Sequence, residues 1–176
     1  GTGGFWLFLG RSAGMATVFL IVAFLAKRLA PLEFASYIAV ASLVTLLGVV
    51  GMLGLNSYVC RRISALIAVS QHAEAAALAQ HITLLGGLVA ATTSIGFLFA
   101  SPYLAMWLEC PALAEQAAWI SAWIFMLAFS QIIAETFRGI HNLFAAGMLA
   151  GVSGGLLANA QFFVLLLLLS YFHRLN

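Results

Sequence analysis

The stretch AAWISAWIFMLAFSQIIA, residues 117–134, contains 18 residues and no charged side chain. Such a run predicts a helix that crosses a bilayer, because about 20 apolar residues rising 1.5 Å each span roughly 30 Å of hydrocarbon. Glu135 and Arg138 follow the run directly. Because residues three apart share one helix face, we expect an ion pair here, with Gly139 ending the helix.

The rest of the chain has the same character. Its 176 residues are 64% hydrophobic and 7% charged, whereas a soluble domain carries about 25% charged residues. The connections between apolar segments are short, and continuous helices are the default in lipid. We therefore predict an all-α fold, a polytopic transmembrane helix bundle that forms a single unit over residues 1–176. It has about five spans, at residues 5–29, 34–58, 80–103, 115–137 and 145–171.

Composition also excludes several function classes. The net charge of +2 is too small to indicate nucleic-acid binding. The chain contains no Asp, so it cannot form a Ser/His/Asp triad, and its four histidines lack the spacing of metal ligands. No glycine-rich phosphate loop follows a strand. We expect no enzyme activity, no catalytic residue, no metal and no cofactor.

Arg11 lies at an unusual depth in the first predicted span. The segment between Arg11 and Lys27 holds only 15 residues, about 22 Å of helix, which is too short to cross the hydrocarbon. The span must therefore take in Arg11 or continue past Lys27. If it takes in Arg11, the guanidinium either faces a polar interior or extends to the headgroups.

Two further groups that contain arginine allow two interpretations each. Arg61 and Arg62 follow the second span, where a basic pair either anchors on anionic lipid or attracts an anionic ligand. Arg138 and Glu135 are either a structural pair at a helix end or residues at the mouth of an interior cavity. Four amide side chains are expected to be buried within the predicted spans, where they hydrogen-bond between helices or line a cavity: Asn56, Gln131, Asn159 and Gln161.

Charge counting does not orient the bundle. With the N-terminus inside, four bases lie inside and three outside, a difference too small for the positive-inside rule. The chain begins with Gly, and its first Met is Met15. We therefore expect a fragment or a processed chain.

Several motifs, in order, resemble one family. Arg11, RLAPLEF at 28–34, GLNSYV at 54–59 and the pair Arg61–Arg62 resemble the opening of bacterial polysaccharide flippases. These O-antigen and exopolysaccharide transporters belong to the multidrug/oligosaccharidyl-lipid/polysaccharide superfamily. FRGIHNLFAAGML at 137–149 is similar to the turn between their fourth and fifth helices.

The resemblance implies a fold and a substrate. The chain would form the first five helices of the N-terminal lobe of a two-lobed transporter in the cell inner membrane, with its N-terminus in the cytoplasm. The substrate would be an undecaprenyl-diphosphate-linked oligosaccharide, and the partners would be membrane lipids and polysaccharide assembly proteins. Arg11, Arg61 and Arg138 are the expected substrate-binding residues, with Asn56, Glu135 and Gln131 as candidate polar residues of the cavity.

Three alternatives remain open. A multidrug or cation antiporter of the same superfamily would need an acid within a span, and only Glu135 comes near that position. A membrane enzyme acting on lipid would need a polar cluster at one face. A non-transporting membrane subunit would account for the short chain.

Overall fold

The computed structural model describes residues 2–52, 55–149 and Asn159, and the side chains at 2–7, 9–11 and 55–57 lie outside this description. Within it, all regular structure is helical, which confirms the predicted all-α class for this part of the chain. The helices are α1 (Thr2–Arg28), α2 (Pro31–Val50), α3 (Leu55–Ala68), α4 (His72–Trp107), α5 (Ala112–Glu115), α6 (Ala117–Gly139) and α7 (Leu143–Leu149).

Three of the described helices, α2, α4 and α6, are long and apolar enough to cross a membrane. With 36 residues, α4 is about 54 Å long and exceeds the roughly 30 Å of a hydrocarbon core. Helix α1 covers most of the first predicted span, 5–29. The fifth predicted span, 145–171, lies outside the described residues except for 145–149 and Asn159. The number of five spans stays a prediction.

Helix α6 is the centre of the described bundle and contacts α2, α3, α4 and α7. It runs antiparallel to α4, because residue numbers rise on α6 as they fall on α4. Ser121 of α6 is hydrogen-bonded to Ser94. Ile132, three turns later on α6, packs against Gly86.

Helices α2 and α3 both run parallel to α6. A methyl group at Gly48 of α2 would lie 2.7 Å from Cδ2 of Leu127, and one at Gly139 would lie 2.9 Å from Cβ of Ile63 in α3. Residue numbers on α2 and α3 therefore increase in the same direction as those on α6 along these contacts. The two helices follow each other along the length of α6, first α2 and then α3.

The second predicted span, 34–58, is divided between two helices in the structure. Helix α2 ends at Val50, and its last turn tightens because the Met52 N–H donates to the Val49 carbonyl at 3.2 Å. Glycine disfavours a helix by about 1 kcal/mol relative to alanine, and Gly48 and Gly51 occur in this one turn. Helix α3 begins at Leu55. The uniform hydropathy of the segment concealed this division.

The division lies deep within the bundle. A methyl group at Gly51 would lie 3.3 Å from Cβ of Ala128, and Ala128 is the middle residue of α6. Gly51 and Met52 are both buried. Irregular backbone at membrane depth is tolerated only where protein covers it or water reaches it, and here protein covers these two residues.

The apolar core has two parts, one beside each helix of the divided span. The part beside α2 contains Val40, Val44, Phe97, Cys110, Leu113, Ile120, Ile124 and Leu127. The part beside α3 contains Val59, Ile63, Ile82 and Ile132. Helices α4 and α6 contribute to both, and they therefore join the two halves of the bundle.

Three helices end in the same kind of turn. Ser70, Glu109 and His141 have φ angles of 59°, 50° and 62° after α3, α4 and α6. In each turn the next N–H bonds back five residues, as the Asn142 N–H does to the Phe137 carbonyl at 2.9 Å. This is the Schellman geometry, which glycine favours at the left-handed position. Gly139 is the last residue of α6, as expected, but His141 takes the left-handed conformation.

The described charges separate to the two ends of the bundle. One end, here called the arginine end, holds the C-termini of α3 and α6. Its charged residues are three bases and two acids: Arg61, Arg62, Arg138, Glu74 and Glu135. The other end, here called the glutamate end, holds the α1–α2 and α4–α6 connections. Its charged residues are three acids and two bases: Glu33, Glu109, Glu115, Lys27 and Arg28.

Candidate functional site

The last two turns of α6 hold the predicted ion pair. Arg138 Nη1 donates to Glu135 Oε1 at 2.5 Å. The side chain of Glu135 is 10% exposed and that of Arg138 is 23% exposed. Removing one partner from a buried pair leaves an uncompensated charge and costs about 3–5 kcal/mol. In this helix of membrane-spanning length, Glu135 is thus the buried partner of the pair and Arg138 the partly exposed one.

Gln131, Glu135 and Arg138 lie on one stripe along α6, because they are spaced four and three residues apart. Gln131 and Glu135 are both buried. The first half of the same stripe is apolar and consists of Ile120, Ile124 and Leu127, which belong to the core beside α2. The stripe thus changes from apolar to polar near the middle of α6.

Helix α2 ends where the stripe changes. Gly48 in its last turn and Gly51, the residue after its end, lie against Leu127 and Ala128, just before Gln131. Helix α3 then packs against Ile132 and Gly139. These two residues each follow a polar stripe residue by one position, about 100° further around the helix. Gln131 and Glu135 on this half of the stripe are nonetheless buried, and α7 also packs against α6.

Two of the predicted basic residues lie near this pair. Ser64 Oγ donates to the Gly139 carbonyl at 3.0 Å, so the α3 turn that carries Arg61 and Arg62 lies beside the end of α6. Arg61 and Arg62 are exposed. The structure thus brings Arg61, Arg62 and Arg138 to the arginine end of the bundle.

The side chains of Arg11 and Asn56 lie outside the described residues. The backbone of Arg11 belongs to the first half of α1, and that of Asn56 to the first turn of α3. Asn159 is buried. Gln161 lies outside the described residues.

One donor of Arg138 has no partner. Its Nε is buried and makes no hydrogen bond, although Nη1 is held by Glu135. An unpaired buried donor costs about 1–3 kcal/mol, so the position favours an acceptor that can approach this edge of the guanidinium. A phosphate oxygen is such an acceptor. Within the described part of the chain, no group of three His, Cys, Asp or Glu residues is placed to hold a metal ion.

Sequence reasoning missed the division of the second span and the close glycine contacts of α6. The sequence does contain two signals of these features. One is the three-residue spacing of Gly48 and Gly51, and the other is the polar half of the stripe on α6. They became interpretable only once α2 and α6 were known to be neighbours.

No family model, no curated protein and no solved structure matches this chain.

Proposed function

We propose that this chain belongs to a multi-pass inner-membrane flippase, which moves lipid-linked oligosaccharide across the membrane for cell-surface polysaccharide synthesis. The observation that carries the proposal is the polar stripe of Gln131, Glu135 and Arg138, of which the first two are buried, beyond the point where α2 ends. The motif order that resembles polysaccharide flippases supports it.

The chemistry of the substrate suits such a site. An undecaprenyl-diphosphate sugar has a charged, hydrated head on an apolar tail, so the head cannot cross hydrocarbon unaided. Arginine side chains offset the lost hydration of the phosphates through charge-assisted hydrogen bonds. Arg61 would attract the head at the membrane surface, and Arg138 would bind it within the bundle. About five spans in this chain would supply part of one lobe.

The test is to replace Arg138 with Ala in the full-length protein encoded by the gene. We expect surface polysaccharide to fall about tenfold or more, because a charge-assisted bond of about 1.5–3 kcal/mol is lost. Lipid-linked oligosaccharide should accumulate in the cell. Surface polysaccharide and lipid-linked oligosaccharide are both compared with the amount of the variant protein in the membrane.

The matched control is Lys27→Ala, which removes an exposed base at the glutamate end and should leave export unchanged. Normal surface polysaccharide in the Arg138 variant, without accumulation of precursor, would contradict a role for Arg138 in export.

One observation favours a second candidate. Glu135 is a buried carboxylate in a helix of spanning length, which is what a cation or multidrug antiporter of the same superfamily would need. The ion pair with Arg138 weighs against it, because the carboxylate already has a cationic partner. An antiporter would lose all cation-coupled transport in Glu135→Gln, and a flippase would not.

A further inference from the structure

The guanidinium of Arg138 has two different edges. Glu135 accepts from Nη1, while the buried Nε has no partner. An arginine fork is planar and rigid, so fixing one nitrogen restricts the direction in which the others point. The contact with Glu135 therefore determines where the Nε edge faces.

This edge lies on α6 beyond the point where α2 ends. Helix α2 ends at Val50, opposite the middle of α6, and the α3 contacts lie on a neighbouring face of α6. The Nε edge thus lies in the half of the bundle where the α6 stripe is polar. Gln131 and Glu135, one turn apart on that stripe, are both buried.

We infer that Glu135 is a positioning residue, which holds the Arg138 guanidinium so that its Nε edge meets a phosphate of the transported substrate. The inference rests on the proposed function and deepens it, because it assigns Glu135 to orientation and Arg138 to contact. The two oxygens of a phosphate match the paired donors of one guanidinium edge. The ligand group is therefore a phosphate, which the proposed substrate carries as a diphosphate, either free or linked to lipid.

Two substitutions separate orientation from charge. Glu135→Gln keeps an acceptor oxygen at nearly the same distance but removes the negative charge. Glu135→Asp keeps the charge but withdraws the carboxylate by one methylene from Nη1. Arg138→Lys keeps the positive charge and removes the planar fork.

The measurement is transport of lipid-linked oligosaccharide by the full-length protein in vesicles, with KM and kcat determined separately. Inorganic pyrophosphate and undecaprenyl diphosphate are added as inhibitors. We expect Glu135→Asp and Arg138→Lys to raise KM and both inhibition constants about tenfold, the loss of one charge-assisted bond. Glu135→Gln should stay within about threefold of the wild type, because a neutral acceptor retains part of that bond. The double variant Glu135→Asp/Arg138→Lys should be no worse than Arg138→Lys alone.

Each other result has a definite meaning. Inhibition by undecaprenyl diphosphate but not pyrophosphate would show that the site needs the lipid, and inhibition by both would show that the diphosphate suffices. If Glu135→Asp resembles the wild type and Glu135→Gln does not, Glu135 acts through its charge and the positioning role is wrong. If KM and the inhibition constants are unchanged in both Glu135 variants but raised in Arg138→Lys, the positioning role is also wrong, and the proposed function stays intact. Absence of oligosaccharide transport by the wild type would overturn the proposed function itself.

Discussion

At the scale of single residues, glycines decide how closely the helices approach α6. Gly48, Gly86 and Gly139 each leave no room for a methyl group, since a Cβ would lie within 3.0 Å of Leu127, Ile132 or Ile63. Small residues at such contacts let helix backbones come close and pack in a bilayer. In contrast, a Cβ at Gly96 of α4 would meet nothing within 4 Å. The same residue type therefore has two different consequences in one helix.

The pair Gly86→Ala and Gly96→Ala tests this difference. We expect Gly86→Ala to lower the free energy of unfolding by about 1–3 kcal/mol, because Ile132 is buried and overpacking forces it to move. Gly96→Ala should instead raise it by about 0.5–1 kcal/mol, since alanine favours the helix and meets no neighbour. The measurement is unfolding of the purified protein in detergent. Equal effects of the two substitutions would mean that α4 does not approach α6 at Gly86.

At the scale of elements, α4 and α6 are joined by a reciprocal pair of hydroxyl groups. Ser94 Oγ donates to the Ser121 carbonyl at 2.6 Å, and Ser121 Oγ donates to the Ser94 carbonyl at 2.9 Å. Both serines are buried. A hydroxyl that bonds across helices also fixes their register, because a slip by one turn would leave it without its partner.

We expect Ser94→Ala and Ser121→Ala to interact in a double-mutant cycle. Each substitution removes one donor, and hydrogen bonds between membrane helices are worth about 0.6 kcal/mol on average and up to about 1.7. Ser130→Ala, whose hydroxyl bonds within its own helix to the Leu127 carbonyl, is the matched control and should show no coupling to Ser94. Additive effects of Ser94→Ala and Ser121→Ala would argue against the contact.

At the scale of the whole molecule, the family resemblance predicts an orientation with the arginine end in the cytoplasm. Three described bases lie at the arginine end and two at the glutamate end, a difference too small for the positive-inside rule to decide. The three glutamates at the other end carry little weight in that rule.

Single cysteines test the orientation in intact cells. Exposed Ala68 at the end of α3 and exposed Ala114 in α5 are replaced one at a time, after Cys60 and Cys110 have been changed to Ala. A membrane-impermeant maleimide should label Ala114→Cys and spare Ala68→Cys until the membrane is permeabilised. The opposite labelling would place the arginine end outside and contradict the orientation that the family resemblance implies.

Much of the fold follows from local properties of the sequence. The uncharged run 117–134 predicts α6 because chain length, hydropathy and the helical rise are enough to identify a span. Pro31 predicts the start of α2, where it is observed, because proline at the first helical position costs no hydrogen bond. The spacing of Glu135 and Arg138 predicts their ion pair, since positions three apart on a helix are neighbours in any surroundings.

The sequence by itself thus determined the helical class, the position of α6 and the pairing of its terminal charges. Only the tertiary structure decided that α2 ends opposite Ala128, that α3 continues along α6 from Ile132 to Gly139, and that Glu135 is buried. Hydropathy averages over a window and does not specify which face of a helix meets which neighbour. Burial of a charge and the end of a packed helix depend on that neighbour, so they are properties of the assembled bundle.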